Sequence, residues 1–184
     1  MSPAPQKLFA FGLGFTSLAL ATRLQAQGLA VAGTCRSADK AAALRARGID
    51  AHVYGPDQPL DATALAGTTH LLLSIPPDEA GDPVARDHGA ALAALPLAWA
   101  GYLSTTGVYG DRGGDWVDEA SPLAPSTARG ARRLRAEQQW AALDLPLHIF
   151  RLAGIYGPGR NQLVSLREGK ARRIIKQGQV FSRI

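Results

Sequence analysis

The sequence predicts an α/β protein in which a parallel sheet carries helices on both faces. Three observations support this: six short apolar runs rich in strand formers recur along the chain, helical patterns separate them, and a glycine turn follows the first run. Alternating strands and helices are typical of doubly wound sheets. The chain has 184 residues and 46% hydrophobic content, which is the size and composition of about one such domain.

Each strand is predicted from one apolar run, and three helices are predicted from a capping side chain at their start. The strands are KLFAF (7–11), LAVAGTC (29–35), DAHVY (50–54), HLLLSI (70–75), AGYLST (100–105) and LHIFRL (147–152). The helices run from Ser37 or Asp39 to about Arg47, from Asp61 to Leu65, and from Ser126 or Thr127 to about Leu143.

The stretch KLFAFGLGFTSLALATRLQAQG (7–28) fits two alternatives, a secretory signal peptide or a strand, turn and helix. Removing it would take the central strand from the sheet, and Arg23 lies on the polar face of an amphipathic helix. We favour the structural interpretation and expect a cytoplasmic protein. A single cysteine, Cys35, suits a reducing compartment. The apolar run is shorter than the roughly 20 residues that cross a bilayer, so no membrane association is expected.

The charge pattern bears on which partners the sequence predicts. The net charge is +5, and residues 160–184 carry seven Lys and Arg against one Glu. Since this tail holds all the excess, we expect no nucleic-acid partner, although a basic nucleic-acid module is one alternative. The tail could instead face an anionic substrate or solvent. The four histidines are far apart, so no metal site is predicted. The sequence gives no indication of the oligomeric state.

The turn GLGFTS lies directly between the first strand and a helix, where a G-x-G-x-x-G motif binds a dinucleotide. Gly12 can take a tight turn, and Gly14 leaves room for a pyrophosphate. The amides of Phe15 and Thr16 at the helix start then face the phosphates. Ser17 replaces the third glycine and is small enough to keep the helix close to the strand. A plain strand-to-helix turn is the alternative.

The end of the second predicted strand indicates which dinucleotide binds. An NAD-preferring site places an acid there for the ribose hydroxyls, whereas this chain reads GTCRS, with Cys35 and Arg36. The planar guanidinium of Arg36 suits the 2′-phosphate of NADP. We predict NADP as the cofactor, with NAD as the second choice. A solvated arginine is the alternative.

Three further motifs follow in order, LSTTGVYGD (103–111), DEASPLAPST (118–127) and FRLAGIYGPGRN (150–161). Together with the turn they resemble the extended short-chain dehydrogenase/reductase superfamily, in particular an atypical branch of the NAD(P)-dependent epimerase/dehydratase family. The resemblance implies a Rossmann-type domain over residues 1–155 with strand order 3-2-1-4-5-6. It also implies that residues 156–184 begin a substrate-binding lobe. Members of the family usually continue further, so we expect the chain to be truncated.

The resemblance implies a catalytic set that this chain carries only in part. The family's Ser/Thr corresponds to Thr105, with Thr106 beside it, and would hydrogen-bond the reacting oxygen of the substrate. The family's Tyr and Lys correspond to Arg129 and Arg133. Because arginine stays protonated, Arg129 cannot serve as the acid/base. Arg133 could bind ribose or phosphate, or help a nearby phenol to ionise.

Five other residues are weaker candidates. In the motif SIPPD, Ser74 and Ile75 end the fourth predicted strand, where the family lines the nicotinamide side of the cleft. Tyr102, Tyr109 and Tyr156 offer phenols that could donate a proton, with packing as the alternative role for each.

The predicted function is that of an NAD(P)-dependent oxidoreductase, epimerase or dehydratase. Its substrate would be a small molecule, such as a nucleotide-linked sugar, that reacts at a hydroxyl or carbonyl group. The alternative is a non-catalytic NAD(P)-binding or redox-sensing protein, because arginines stand at both the Tyr and the Lys positions of the family.

Overall fold

The computed structural model describes residues 6–172 and residue 175, and in them six strands form one parallel sheet in the order β3-β2-β1-β4-β5-β6. The predicted fold class and strand order are therefore confirmed, with the first strand inside the sheet. The strands are β1 (Lys7–Phe11), β2 (Ala30–Cys35), β3 (Asp50–Val53), β4 (His70–Leu73), β5 (Trp99–Thr105) and β6 (Leu147–Leu152).

Within the described residues, five α-helices connect or follow these strands. They are α1 (Phe15–Gln25), α2 (Ala38–Arg45), α3 (Pro83–Ala93), α4 (Ala128–Ala141) and α5 (Gln162–Arg167), and Ala62–Leu65 and Thr106–Val108 form 3₁₀ turns. Three predicted caps are confirmed, because the side chains of Ser37, Asp61 and Thr127 each accept a hydrogen bond from the first turn that follows.

Helix α3 was not among the predicted helices, although its start carries a local signal. Asp82 precedes Pro83, and the Asp82 carboxylate accepts hydrogen bonds from the amides of Val84 and Ala85. A proline at the first helical position after a capping aspartate is a recognised start signal. The short helix α5 was also not predicted.

Both faces of the sheet carry helices, and the alternation along β1 shows how. Phe9 and Phe11 pack on one side in a cluster that includes Trp140 of α4. Leu8 and Ala10 pack on the other side, in a cluster that receives residues of α1 and α2. A strand that is apolar on both faces is expected at the centre of a parallel sheet. No helix of the described residues is long and apolar enough to cross a membrane.

The predicted substrate lobe, 156–184, is only partly covered by the described residues. Residues 173, 174 and 176–184 lie outside them, and with them three cations of the basic tail, Arg173, Lys176 and Arg183. The division of the chain near residue 155 therefore stays a prediction.

Candidate functional site

The predicted cofactor-binding and hydroxyl-bearing residues gather at one edge of the sheet, where the parallel strands end. Gly12 follows β1, Arg36 follows β2, Ser74 follows β4, and Thr105 is the last residue of β5. The strand order reverses between β1 and β4. In open α/β sheets this reversal leaves a crevice in which ligands bind. These candidate residues therefore lie together at the edge where open α/β sheets bind ligands, and their roles stay predictions.

The glycine turn is tight and closely packed. Gly12 has a φ of +91°, and a Cβ added there would lie 2.9 Å from Ser74 Oγ and 3.1 Å from Ile75 Cγ1. The Gly12 amide donates to Thr34 Oγ1 at 2.9 Å, and the Leu13 amide donates to the Thr34 carbonyl at 2.7 Å. Both the backbone conformation and the neighbouring atoms thus require glycine at position 12.

Two serines hold helix α1 against the turn. Ser17 is buried, and its hydroxyl lies 2.9 Å from Ser74 Oγ, in hydrogen-bonding range. Ser74 Oγ in turn lies 2.6 Å from the carbonyl oxygen of Gly12. Ser17 therefore fills the place of the third glycine, as predicted. Ser74 was predicted to contact the cofactor. In the structure its hydroxyl donates a hydrogen bond to the Gly12 carbonyl of the turn.

The start of α1 is open. Gly14 precedes the helix and offers no side-chain cap, no acid lies in the first turn, and a Cβ on Gly14 would meet nothing within 4 Å. The amides of Phe15 and Thr16 have no partner within the helix, because the first amides of any helix lack one. A helix start with free amides attracts anions, because the positive end of the helix dipole lies there as well. The other four α-helices of the described chain are capped by the side chains of Ser37, Asp82, Thr127 and Asn161.

Arg36 stands at the start of the loop after β2, one residue before the Ser37 cap of α2. Its side chain is exposed and forms no ion pair with the described residues. The guanidinium is therefore available to an anion on the β2 side of the crevice.

Of the residues at the family's catalytic positions, Thr105 lies at the carboxyl edge of the sheet and Arg133 packs against strand β5. Thr105 is half-buried, and its Oγ1 accepts a hydrogen bond from the Gly107 amide at 3.2 Å, with Thr106 next to it. Arg129 is exposed in the first turn of α4. Arg133 lies against β5, where its Nη1 donates to Tyr102 Oη and to the carbonyl of Leu103, both at 3.0 Å.

The three phenols differ in their access to solvent. Tyr102 is fully buried, and burial raises the pKa of its hydroxyl far above the ordinary value despite the adjacent Arg133. The prediction that Arg133 could help a phenol to ionise therefore finds no support at Tyr102. Tyr109 is also buried, and its hydroxyl accepts from Arg151 Nη1 at 3.0 Å. Tyr156, at 59% exposure, is the one of the three that solvent reaches.

A buried ion pair lies next to the candidate site and was missed in the sequence. Arg151 Nη2 lies 3.0 Å from Glu137 Oε2, and the two side chains are 18% and 4% exposed. The Ser104 hydroxyl donates a hydrogen bond to the other Glu137 oxygen, since an ionised carboxylate can only accept. The pair joins α4 to β6, and Ser104 joins it to β5 beside Thr105. The available signal was an arginine within the predicted strand LHIFRL.

The fold, the switch point and the glycine turn define a Rossmann-type nucleotide-binding domain. The chain is 33% identical to protein YeeZ of Escherichia coli K12 over 172 residues, which cover 85% of this chain and 61% of YeeZ. A solved protein of unknown function from Silicibacter pomeroyi is 50% identical, with a TM-score of 0.88, over 97% of this chain and 63% of that one. No family model matches the chain.

Other solved neighbours carry more specific descriptions. A proposed NAD-dependent epimerase/dehydratase from Methylobacillus flagellatus is 29% identical, with a TM-score of 0.63, over 90% of this chain and 59% of that one. WbmG of Bordetella bronchiseptica, solved with NAD and UDP, has a TM-score of 0.70 over 90% of this chain and 60% of WbmG, and its 21% identity shows the fold alone. The resemblance to NAD-dependent epimerases/dehydratases is confirmed by the neighbour from Methylobacillus flagellatus.

Proposed function

We propose that this chain is the cofactor-binding part of an NAD(P)-dependent epimerase, dehydratase or reductase. The observation that carries the proposal is the uncapped start of α1, which follows a Gly12 turn at the switch point between β1 and β4. Here the amides of Phe15 and Thr16 would bind the pyrophosphate of a dinucleotide. Because the chain spans 61% of the length of YeeZ, the activity of the whole protein is part of the proposal.

NADP is the proposed cofactor because of the charge after β2. Arg36 is exposed, and no acid stands at the end of that strand to hold the ribose hydroxyls. A guanidinium at this position pairs more strongly with a charged 2′-phosphate than with a neutral 2′-hydroxyl.

The bound nicotinamide would exchange a hydride with the substrate. Thr105 would hydrogen-bond the reacting oxygen of the substrate, since its hydroxyl still has a proton to donate while Oγ1 accepts from Gly107. Arg133, beside β5, would add positive charge near the ribose or the substrate. We propose a small substrate with a hydroxyl or carbonyl group, including nucleotide-linked sugars.

A non-catalytic NAD(P)-binding or redox-sensing protein is the second candidate function. It is favoured by Arg129 at the acid/base position and by the buried hydroxyls of Tyr102 and Tyr109. Assaying the protein with NADPH or NADP against a panel of carbonyl compounds and nucleotide sugars separates the two. Turnover of any substrate supports the enzyme, whereas tight cofactor binding with no turnover across the panel supports the sensor.

Arg36→Ala is expected to weaken the binding of NADPH about tenfold, because one charged hydrogen bond to phosphate is lost, while the affinity for NADH stays unchanged. The quenching of NADPH and NADH fluorescence on titration measures both affinities. Arg45→Ala removes an exposed cation at the other end of α2 and should alter neither. Equal affinities for NADH and NADPH in both the wild type and Arg36→Ala would contradict the role given to Arg36.

A further inference from the structure

The loop after β6 returns to the start of α1 as a tight turn. The Gly157 amide donates to the Arg160 carbonyl at 2.8 Å, and the Arg160 amide donates back to the Gly157 carbonyl at 2.9 Å. Asn161 braces this turn, because its side-chain amide donates to the Gly157 carbonyl at 3.2 Å while its oxygen caps α5. The turn therefore presents the Arg160 side chain from a fixed backbone.

The same turn rests on Phe15, the first residue of α1. A Cβ added to Gly157 would lie 3.0 Å from Phe15 Cζ, so the turn packs tightly against the ring. The guanidinium carbon of Arg160 lies 5.3 Å from the centre of the Phe15 ring. A cation over an aromatic face is attracted to it, and its N–H groups remain free to donate at their edge.

Two positive groups lie at Phe15. The start of α1 carries the positive end of the helix dipole, its first turn contains no acid, and Arg160 forms no ion pair with the described residues. Two positive groups held near each other without a counter-charge repel. A bound anion that contacts both would remove the repulsion and gain hydrogen bonds from each.

We infer that Arg160, held over Phe15, binds the diphosphate of the dinucleotide from the side of the β6 loop. The inference rests on the proposed function, since it adds a contact to the same cofactor site. A diphosphate could also be supplied by a nucleotide-sugar substrate. The cofactor is the source favoured here, because Phe15 lies in the glycine turn itself.

Arg160→Gln tests this in titrations with NADPH and with adenosine 2′-monophosphate, which has the 2′-phosphate and no diphosphate, in the absence of any substrate. We expect the variant to bind NADPH about tenfold more weakly, as the loss of one charged hydrogen bond predicts, and to bind adenosine 2′-monophosphate like the wild type. Arg167→Gln removes the same charge from α5 and should bind both ligands like the wild type.

Each other outcome overturns the inference. Unchanged NADPH affinity in Arg160→Gln, with NADPH bound by the wild type, removes the role of Arg160 and leaves the proposed function standing. An equal loss for both ligands, or the same loss in Arg167→Gln, shows a general effect of charge or folding. A wild type that binds no dinucleotide defeats the proposed function and this inference together. Binding of UDP that depends on Arg160, without any effect on NADPH, assigns the cation to the substrate.

Discussion

Arg151→Met is expected to lower the free energy of unfolding by about 3–5 kcal/mol, the usual cost of leaving one member of a buried ion pair alone. Glu137 is almost fully buried, and Arg151 is its partner at 3.0 Å. Removing the guanidinium leaves the Glu137 carboxylate with the Ser104 hydroxyl as a donor, and the Tyr109 hydroxyl loses the hydrogen bond that Arg151 donates to it. Methionine keeps the apolar stem of the arginine side chain but is shorter, so some lost packing adds to this cost. Urea unfolding followed by circular dichroism measures the change.

The double variant Glu137→Leu with Arg151→Met is the control for this prediction. Replacing both members of a buried pair by apolar residues removes the unpaired charge, and such replacements are often neutral. We expect the double variant to recover more than half of the stability that Arg151→Met loses. A loss below about 1 kcal/mol in the single variant, the size typical of exposed pairs, would show that solvent reaches this pair.

Gly12→Ala is expected to weaken NADPH binding by about 100-fold or more, since a backbone shift in the turn would displace several charged hydrogen bonds at once. At a φ of +91° a Cβ is strained, and it would lie within 3.1 Å of both Ser74 and Ile75. The same strain should lower the free energy of unfolding by about 1–3 kcal/mol. Fluorescence titration and urea unfolding measure the two effects.

Gly14→Ala separates binding from stability. Gly14 has a φ of −87°, which alanine adopts without strain, and a Cβ there meets nothing within 4 Å. Its stability should match the wild type, while its methyl group stands where the pyrophosphate approaches and lowers NADPH affinity. Full NADPH affinity in both glycine variants would place the dinucleotide elsewhere.

The fold could be predicted from local patterns because each strand carries its own apolar run. LHIFRL became β6 with the predicted limits, and KLFAF became β1. The strand order was predicted from the resemblance and not from the apolar runs, since the sequence of one strand does not show which strands it pairs with. Helix α3 was missed because its Asp82-Pro83 start follows the loop SIPPD, where prolines are also typical of a chain reversal.

The candidate site could be predicted from the sequence where its residues are neighbours along the chain. Gly12, Gly14 and Ser17 belong to one motif, and its geometry follows from the spacing. The pairs Glu137 with Arg151 and Phe15 with Arg160 join different elements. No spacing rule connects such residues, because only the packing of the elements brings them together.

Amide hydrogen exchange with and without NADPH tests the central claim, that the turn after β1 binds a dinucleotide. We expect slower exchange on NADPH binding at the amides of Phe15 and Thr16 and around Arg36, with little change on the far side of the sheet at α3. NADPH that binds without protecting the amides of Phe15 and Thr16, or that protects none of the residues at the carboxyl edge of the sheet, would contradict it.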